Sequence, residues 1–189
     1  YQSLEFSLRA EVLSPFEVIR SATTVNAALL NRAGELGVIA PGALADLLSV
    51  DRVVLGGTAG GWEDAVRQVG AVLVASGAVT EGYVDAMVER ERSVSTFVGE
   101  GVAIPHGTLA GRDLVTRDAL CVLQYPAGVD WHGDEVVLCI GIAARGEGHV
   151  PILARLAELL MEPDRADALR TATTADQVVA LMTPEESPA

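Results

Sequence analysis

The sequence lacks most features that would commit it to a membrane, a nucleic acid, a disulfide framework or a metal. Of its 189 residues only 13 are Lys or Arg, against 26 Asp or Glu, a formal net charge of −13. Sequence-independent nucleic-acid binding needs clustered cations, as does adsorption to an anionic membrane, so neither is expected. A local patch can still meet a basic partner. The longest apolar run near the middle, Val136–Ile140 followed by Gly141–Ala144, is far below the roughly 20 residues that span a bilayer. No charged-then-apolar leader opens the chain, which starts at Tyr1 and reads as processed or trimmed. The two cysteines, Cys121 and Cys139, sit inside apolar runs. They read as small buried hydrophobes in a reducing compartment, with little support for a disulfide or a metal pair. Of the three histidines none precedes His106, and no His-x-His pair occurs. The glycine-rich Gly56–Gly61 lacks the Gly-Lys-Ser/Thr of a phosphate-binding loop and reads as a connector. No cofactor or metal is expected.

What the sequence has is apolar residues, 50% of the total, enough for the core of one domain or one domain with a small addition. It also has one well-punctuated histidine. In Gly99–Gly107, reading Gly-Glu-Gly-Val-Ala-Ile-Pro-His-Gly, the residues Val102, Ala103 and Ile104 predict a buried strand. Pro105 has no N–H with which to continue the ladder, and Gly107 allows a sharp turn or a close approach. His106 is therefore expected at a strand end, facing the surface or a cleft.

The rest of the chain falls into elements around that point. Ser14-Pro15-Phe16-Glu17 marks a helix start, with Ser14 as N-cap and Glu17 completing a capping box. A turn, a Pro-Gly corner and a strand follow over Gly37–Asp51, then a short strand at Arg52–Leu55. Trp62–Ser76 and Thr80–Arg92 predict helices. The last turn of the second, Glu89-Arg90-Glu91-Arg92, reads either as a solvated charged end or as the source of an arginine facing His106. Thr108–Asp118 is loop-like. Ala119–Tyr125 and Glu135–Ala144 predict strands, with Pro126–Asp134 a turn-rich loop in which His132 is exposed. His149 opens a helix to about Met161, Asp164–Arg170 a short one, and Thr174–Gln177 caps a last helix to about Met182. Pro184–Ala189 should fray.

Two resemblances lie in these blocks. Ser14–Asn31 and the "Gly-Val-Ile-Ala-Pro-Gly…Ala-Asp-Leu…Asp" text of Gly37–Asp51 resemble the end of a metal-dependent amidohydrolase, where a strand closes a small β-sandwich. That family's metal ligands come from earlier strands, so residues 1–50 are expected to be an inactive helix-plus-strand appendage. From Trp62 to Met182 the chain resembles the mannitol-type enzyme IIA domain of the phosphoenolpyruvate-dependent sugar phosphotransferase system. The blocks that carry this are Gly77–Met87 with Glu89-Arg90-Glu91, Gly101–Thr108, Gln124–Val129, and Ile140–Ala144 with His149 beyond.

The second resemblance implies an α/β fold with a mixed parallel and antiparallel sheet flanked by helices on both faces. It implies a cytoplasmic phosphocarrier that takes a phosphoryl group from HPr and passes it to a cysteine on a IIB domain, meeting the membrane only through the IIC transporter. On that pattern His106 is phosphorylated, and Arg90, Glu100 and His149 are active-site positions. The chemistry is consistent: neutral imidazole, with an ordinary pKa of about 6.5, is a reversible nucleophile that needs no metal. Arg90 is the natural cation for phosphoryl oxygens, His149 a donor at a helix N-terminus, and Glu100 an orienting carboxylate. The expected division is 1–50 appendage, 51–183 enzyme IIA domain and 184–189 tail. The alternatives are a regulatory paralogue acting by phosphorylation-dependent binding, a non-catalytic scaffold and, nearly excluded by its missing ligands, a metal hydrolase.

Overall fold

Two long apolar runs form the centre of the fold because both of their faces are covered. In a computed structural model that describes residues 47–145 and 149–182, they are β4 (Ala119–Trp131) and β5 (Asp134–Ala143), paired antiparallel. The chain divides into two compact units, Tyr1–Ala40 and Pro41–Ala189, and every described residue belongs to the second. The helix expected from Ser14, most of the strand expected within Gly37–Asp51 and the tail expected at Pro184–Ala189 lie outside the described residues; the described end of that stretch is no strand but a turn leading into a 3-10 helix, Val50–Arg52.

Three short strands complete the sheet. They are β1 (Val53–Val54), β2 (Phe97–Gly99) and β3 (Val102–Ala103), and the strand order is β1-β4-β5-β3-β2. β1 runs parallel to β4 and β3 parallel to β5, whereas β4–β5 and β2–β3 are antiparallel. The sheet is thus mixed, as the sequence implied. Alternate residues of β4 and β5 enter different cores, as strand geometry requires. Cys121, Leu123, Cys139 and Ala143 pack with α1 (Trp62–Ala75) and α2 (Gly82–Ser93). Leu120, Val122, Leu138, Ile140 and Ile142 join Ile152 and Leu156 of α3 (His149–Leu160), Leu169 of α4 (Pro163–Thr171) and Val178 of α5 (Ala175–Met182). Covering both faces is what makes these strands uninterrupted in hydrophobicity.

Cys121 and Cys139 are fully buried and unbridged, one in each central strand. Burial pushes the Cys121 thiol up to about 12 and the Cys139 thiol up further, so both stay protonated and inert. The last helix begins with the expected capping box. Gln177 N–H donates to Thr174 Oγ1 at 3.2 Å, and Gln177 Oε1 accepts from Thr174 N–H at 3.3 Å.

Two expectations are corrected. The turn-rich loop at Pro126–Asp134 is mostly strand: β4 continues to Trp131, absorbs an irregularity between Gln124 and Val129, and turns only at His132-Gly133. A bulge accommodates Pro126 and Gly128 without ending the pairing. Trp131 is fully buried, whereas His132 is exposed in the turn as expected, its ring tilted against that of Trp62 at 4.9 Å between centroids. The charged end of α2 is not uniformly solvated either, because Glu91 is 2% exposed.

Helix α1 lies close to β5 where the strand has no side chain. A Cβ on Gly141 would meet Val69 Cγ1 and would lie 2.6 Å from Cys121 Sγ. Gly141→Ala is therefore expected to destabilise the domain by about 1–3 kcal/mol through overpacking, read as a lower urea midpoint at unchanged slope. An unchanged midpoint would show that the helix can withdraw freely.

Candidate functional site

The backbone around His106 is held on both sides, which places its ring. Ile142 N–H on β5 donates to Pro105 C=O at 3.0 Å, and His106 forms an isolated parallel bridge with Ile142. On the other side Gly107 N–H donates to Tyr83 Oη at 3.0 Å, and Tyr83 O–H donates to Ile142 C=O at 2.9 Å. One phenol thus closes a loop between the histidine turn and the strand behind it. The phenol ring lies against Gly107, where a Cβ would be 2.5 Å from Cε2, so any larger residue is excluded. Burial raises the Tyr83 pKa, opposed by the Gly107 N–H, so the hydroxyl remains a donor.

The imidazole itself has a fixed tautomer. Nδ1 lies 2.8 Å from Ile104 C=O. A carbonyl only accepts, so Nδ1 carries the proton and, in the neutral ring, Nε2 carries the lone pair.

His106 lines a cavity of about 320 Å³ together with Tyr83, Arg90, Thr108, Arg112 and Leu153, among others. Arg90 comes from the last turn of α2, where its guanidinium donates to Val94 C=O at the end of its own helix. Arg112 comes from a 3-10 helix, Leu109–Leu114, in the stretch expected to be a loop. No carboxylate lines the cavity among the described residues. A protein of net charge −13 thus encloses a locally cationic hollow around one nucleophilic nitrogen, an arrangement suited to an anion.

The remaining sequence-predicted residues are Glu100 and His149. Glu100 is exposed at the tip of the β2–β3 turn, with φ +51° between two positive-φ glycines, and its carbonyl accepts from the Arg170 guanidinium. It lines a second, apolar groove that among the described residues shares only Leu153 with the His106 cavity. His149 is the first residue of α3; its side chain lies outside the described residues. Among the described residues no group of three His, Cys, Asp or Glu could hold a metal ion, and no helix is long and apolar enough to cross a membrane.

Sequence reasoning missed Arg112, the Tyr83 hydroxyl and Glu91. The signals are weak: a tyrosine at an inward helix position reads as apolar core, although a buried phenol needs a partner. Glu91 accepts from Trp131 Nε1–H at 2.8 Å, Ser95 O–H at 2.8 Å, Thr96 N–H at 2.7 Å and the Thr96 hydroxyl, and lies 3.2 Å from His132 Nε2. Through Thr96, whose carbonyl accepts from Ile104 N–H at 2.9 Å, this buried carboxylate holds the strand that ends in His106.

The family model for "Phosphoenolpyruvate-dependent sugar phosphotransferase system, EIIA 2" matches residues 46–184, and that for the amidohydrolase family matches residues 2–88. The chain is 44% identical over 140 residues to a multiphosphoryl transfer protein of Escherichia coli O157:H7, covering 74% of this chain but only 37% of that one. It is 38% identical over 135 residues to the mannitol-specific phosphotransferase enzyme IIA component of Staphylococcus aureus, covering 71% of this chain and 94% of that one. Among solved structures, a chain of the complex of enzyme IIAMTL and phosphorylated enzyme IIBMTL from Escherichia coli aligns with a TM-score of 0.67 and 35% identity. The alignment covers 71% of this chain and 96% of that one.

The Tyr83 hydroxyl gives a prediction independent of any partner. Tyr83→Phe keeps the ring against Gly107 but strips a buried N–H and a buried carbonyl of their partner. It is expected to cost about 1–3 kcal/mol of stability, measured by denaturant unfolding. It should also disturb the His106 ring resonances in NMR; unchanged resonances would remove Tyr83 from the positioning of the histidine.

Proposed function

The chain belongs to the EIIA 2 family of the phosphoenolpyruvate-dependent sugar phosphotransferase system, and from that premise we propose that it is a cytoplasmic phosphohistidine carrier. His106 accepts a phosphoryl group from phospho-HPr and passes it to a cysteine of a IIB domain during mannitol-type sugar uptake. The observation that carries the reading is the His106 tautomer, fixed by Ile104 C=O inside a cavity that Arg90 also lines.

The transfer follows from that geometry. The Nε2 lone pair forms an N–P bond as the bond from phosphorus to the donor nitrogen breaks, and the breaking pair stays on the donor. The ring, still bearing its Nδ1 proton, becomes a phosphoimidazolium. In the onward step a thiolate attacks phosphorus and the N–P pair returns to Nε2, regenerating neutral imidazole. The Ile104 carbonyl holds the Nδ1 proton throughout, so the group that leaves is neutral imidazole and not the far more basic imidazolate. This keeps the phosphoryl group transferable.

The chain's other groups act on charge. The phosphoryl group spreads its charge over three equatorial oxygens in transit. The Arg90 guanidinium covers two of them as a fork. His149 adds a donor at the start of α3, where the helix dipole favours an anion. Glu100, on the turn that lines the neighbouring groove, is the orienting carboxylate of this set and acts from outside the His106 cavity.

Incubation with enzyme I, HPr and phosphoenolpyruvate should add one acid-labile phosphate to the intact protein, detected by mass, and none to His106→Ala. Failure of the intact protein to accept phosphate would overturn the carrier reading. Arg90→Ala should slow acceptance about 10²-fold, the scale set by loss of one transition-state donor, with its unfolding midpoint little changed. A parallel loss of folding would instead make Arg90 a structural residue.

A further inference from the structure

We propose that Arg112 is a second guanidinium contacting the phosphoryl group carried by His106, so that Arg90 and Arg112 clamp it from two elements. The proposal rests on the carrier reading of His106 and adds a catalytic residue to it.

Packing sets the position of Arg112. The 3-10 helix Leu109–Leu114 leaves the His106 turn through Gly107 and Thr108, and Gly111 N–H donates to Thr108 C=O at 3.0 Å. Gly111 is buried directly against α2: a Cβ there would lie 2.8 Å from the Ala86 Cβ. Tyr83, Ala86 and Arg90 follow one another at helical spacing, so they share a face of α2. The first of them holds the histidine turn, the second seats the 3-10 helix, and the third lines the His106 cavity. Seating Gly111 on that stripe brings the next residue, Arg112, to the same cavity as Arg90. Arg112 is half-buried there, and no carboxylate lines the cavity among the described residues.

Charge and geometry point the same way. A phosphoryl dianion is matched by two monocations. One arginine fork covers two equatorial oxygens, and Arg90 already spends an N–H on Val94 C=O; the donor proposed at His149 brings no permanent charge, so the second negative charge needs a cation from another direction. The 3-10 helix supplies one. Arg112 moves no proton: Nε2 attacks phosphorus, the donor's bond to phosphorus breaks with its electron pair, and the guanidinium only compensates charge on the oxygens.

The test uses two donors, phospho-HPr and the small molecule phosphoramidate. In its zwitterionic form phosphoramidate carries a protonated nitrogen on phosphorus, and that nitrogen leaves with the bonding pair as neutral ammonia while the N–P bond to His106 forms. Labelling of the wild-type chain, Arg112→Ala and Arg112→Lys is followed by mass. With both donors, Arg112→Ala should be about 10²-fold slower than wild type, with Arg112→Lys between them. In the phosphorylated proteins, the phosphorus NMR titration of the phosphohistidine should move to higher pH in Arg112→Ala, because a lost cation weakens the dianion. Wild-type labelling by phosphoramidate in both variants would overturn the clamp, and slowing confined to phospho-HPr would make Arg112 a docking residue instead. If Arg112→Ala does not fold, Arg112→Lys decides between these outcomes by the same two readouts. If wild-type His106 accepts phosphate from neither donor, the carrier reading itself fails; if it accepts and the variants match it, only the clamp does.

Discussion

The site depends on one phenol hydroxyl used twice. Tyr83 accepts from the Gly107 N–H and donates to the Ile142 carbonyl, so a residue of α2 ties the histidine turn to β5. Besides it, the described ties of this segment to β5 are the Pro105 carbonyl and the bridge between His106 and Ile142. In the proposed carrier role such bracing is an advantage, because orientation fixed in advance is not lost again at each transfer. The same contact explains the local sequence. The ring that carries the hydroxyl occupies the space a Gly107 side chain would need.

A second polar anchor braces the strand from the other end. Glu91 gathers donors from Trp131, Ser95 and Thr96 beneath the surface, and Thr96 in turn holds the Ile104 N–H. The Ile104 carbonyl fixes the imidazole tautomer. One residue thus has its N–H tied to the Glu91 network and its carbonyl tied to the nucleophile. A buried carboxylate is costly unless its lone pairs are satisfied, and here every described partner is a donor. Adjacent helix positions therefore do opposite work: Arg90 turns toward the cavity and Glu91 turns inward to the corner that supports it.

Much of this was legible in the sequence because the apolar patterning is consistent. The helices Trp62–Ala75, His149–Leu160 and Ala175–Met182 announced themselves by periodicity and caps, and the delivery of His106 at a strand end followed from Pro105 and Gly107. What failed had physical causes. Pro126 and Gly128 are turn formers, but pairing of β4 with β5 on both sides of them outweighed local preference and made a bulge. Glu91 sits in a run of charges, and nothing in the run distinguishes the one that meets Trp131 across the fold. Arg112 lies in a stretch without periodicity, and its place depends on Gly111 meeting Ala86, a contact between residues 25 apart in sequence that only the fold reveals.

The overlap of the two family matches over residues 46–88 is resolved by what those residues do. Leu47 C=O accepts from Leu120 N–H at 2.6 Å, and Leu48 is buried in the same core as Leu120, Val122 and Ile140. Arg52, 4% exposed, turns the corner between them and β1 by donating to Leu47 C=O at 2.7 Å and to Ser49 Oγ at 2.7 and 2.9 Å. Residues 62–75 form the helix over Cys121 and Gly141. From residue 47 onward, therefore, the chain is committed to the mixed sheet. The text it shares with the amidohydrolase family asks for little more than an apolar segment entering from a turn, and here residues 47–52 supply it as a turn and a 3-10 helix that lead into β1 beside β4. A pattern that general can satisfy either family, and the described packing partners assign it to the sheet that presents His106.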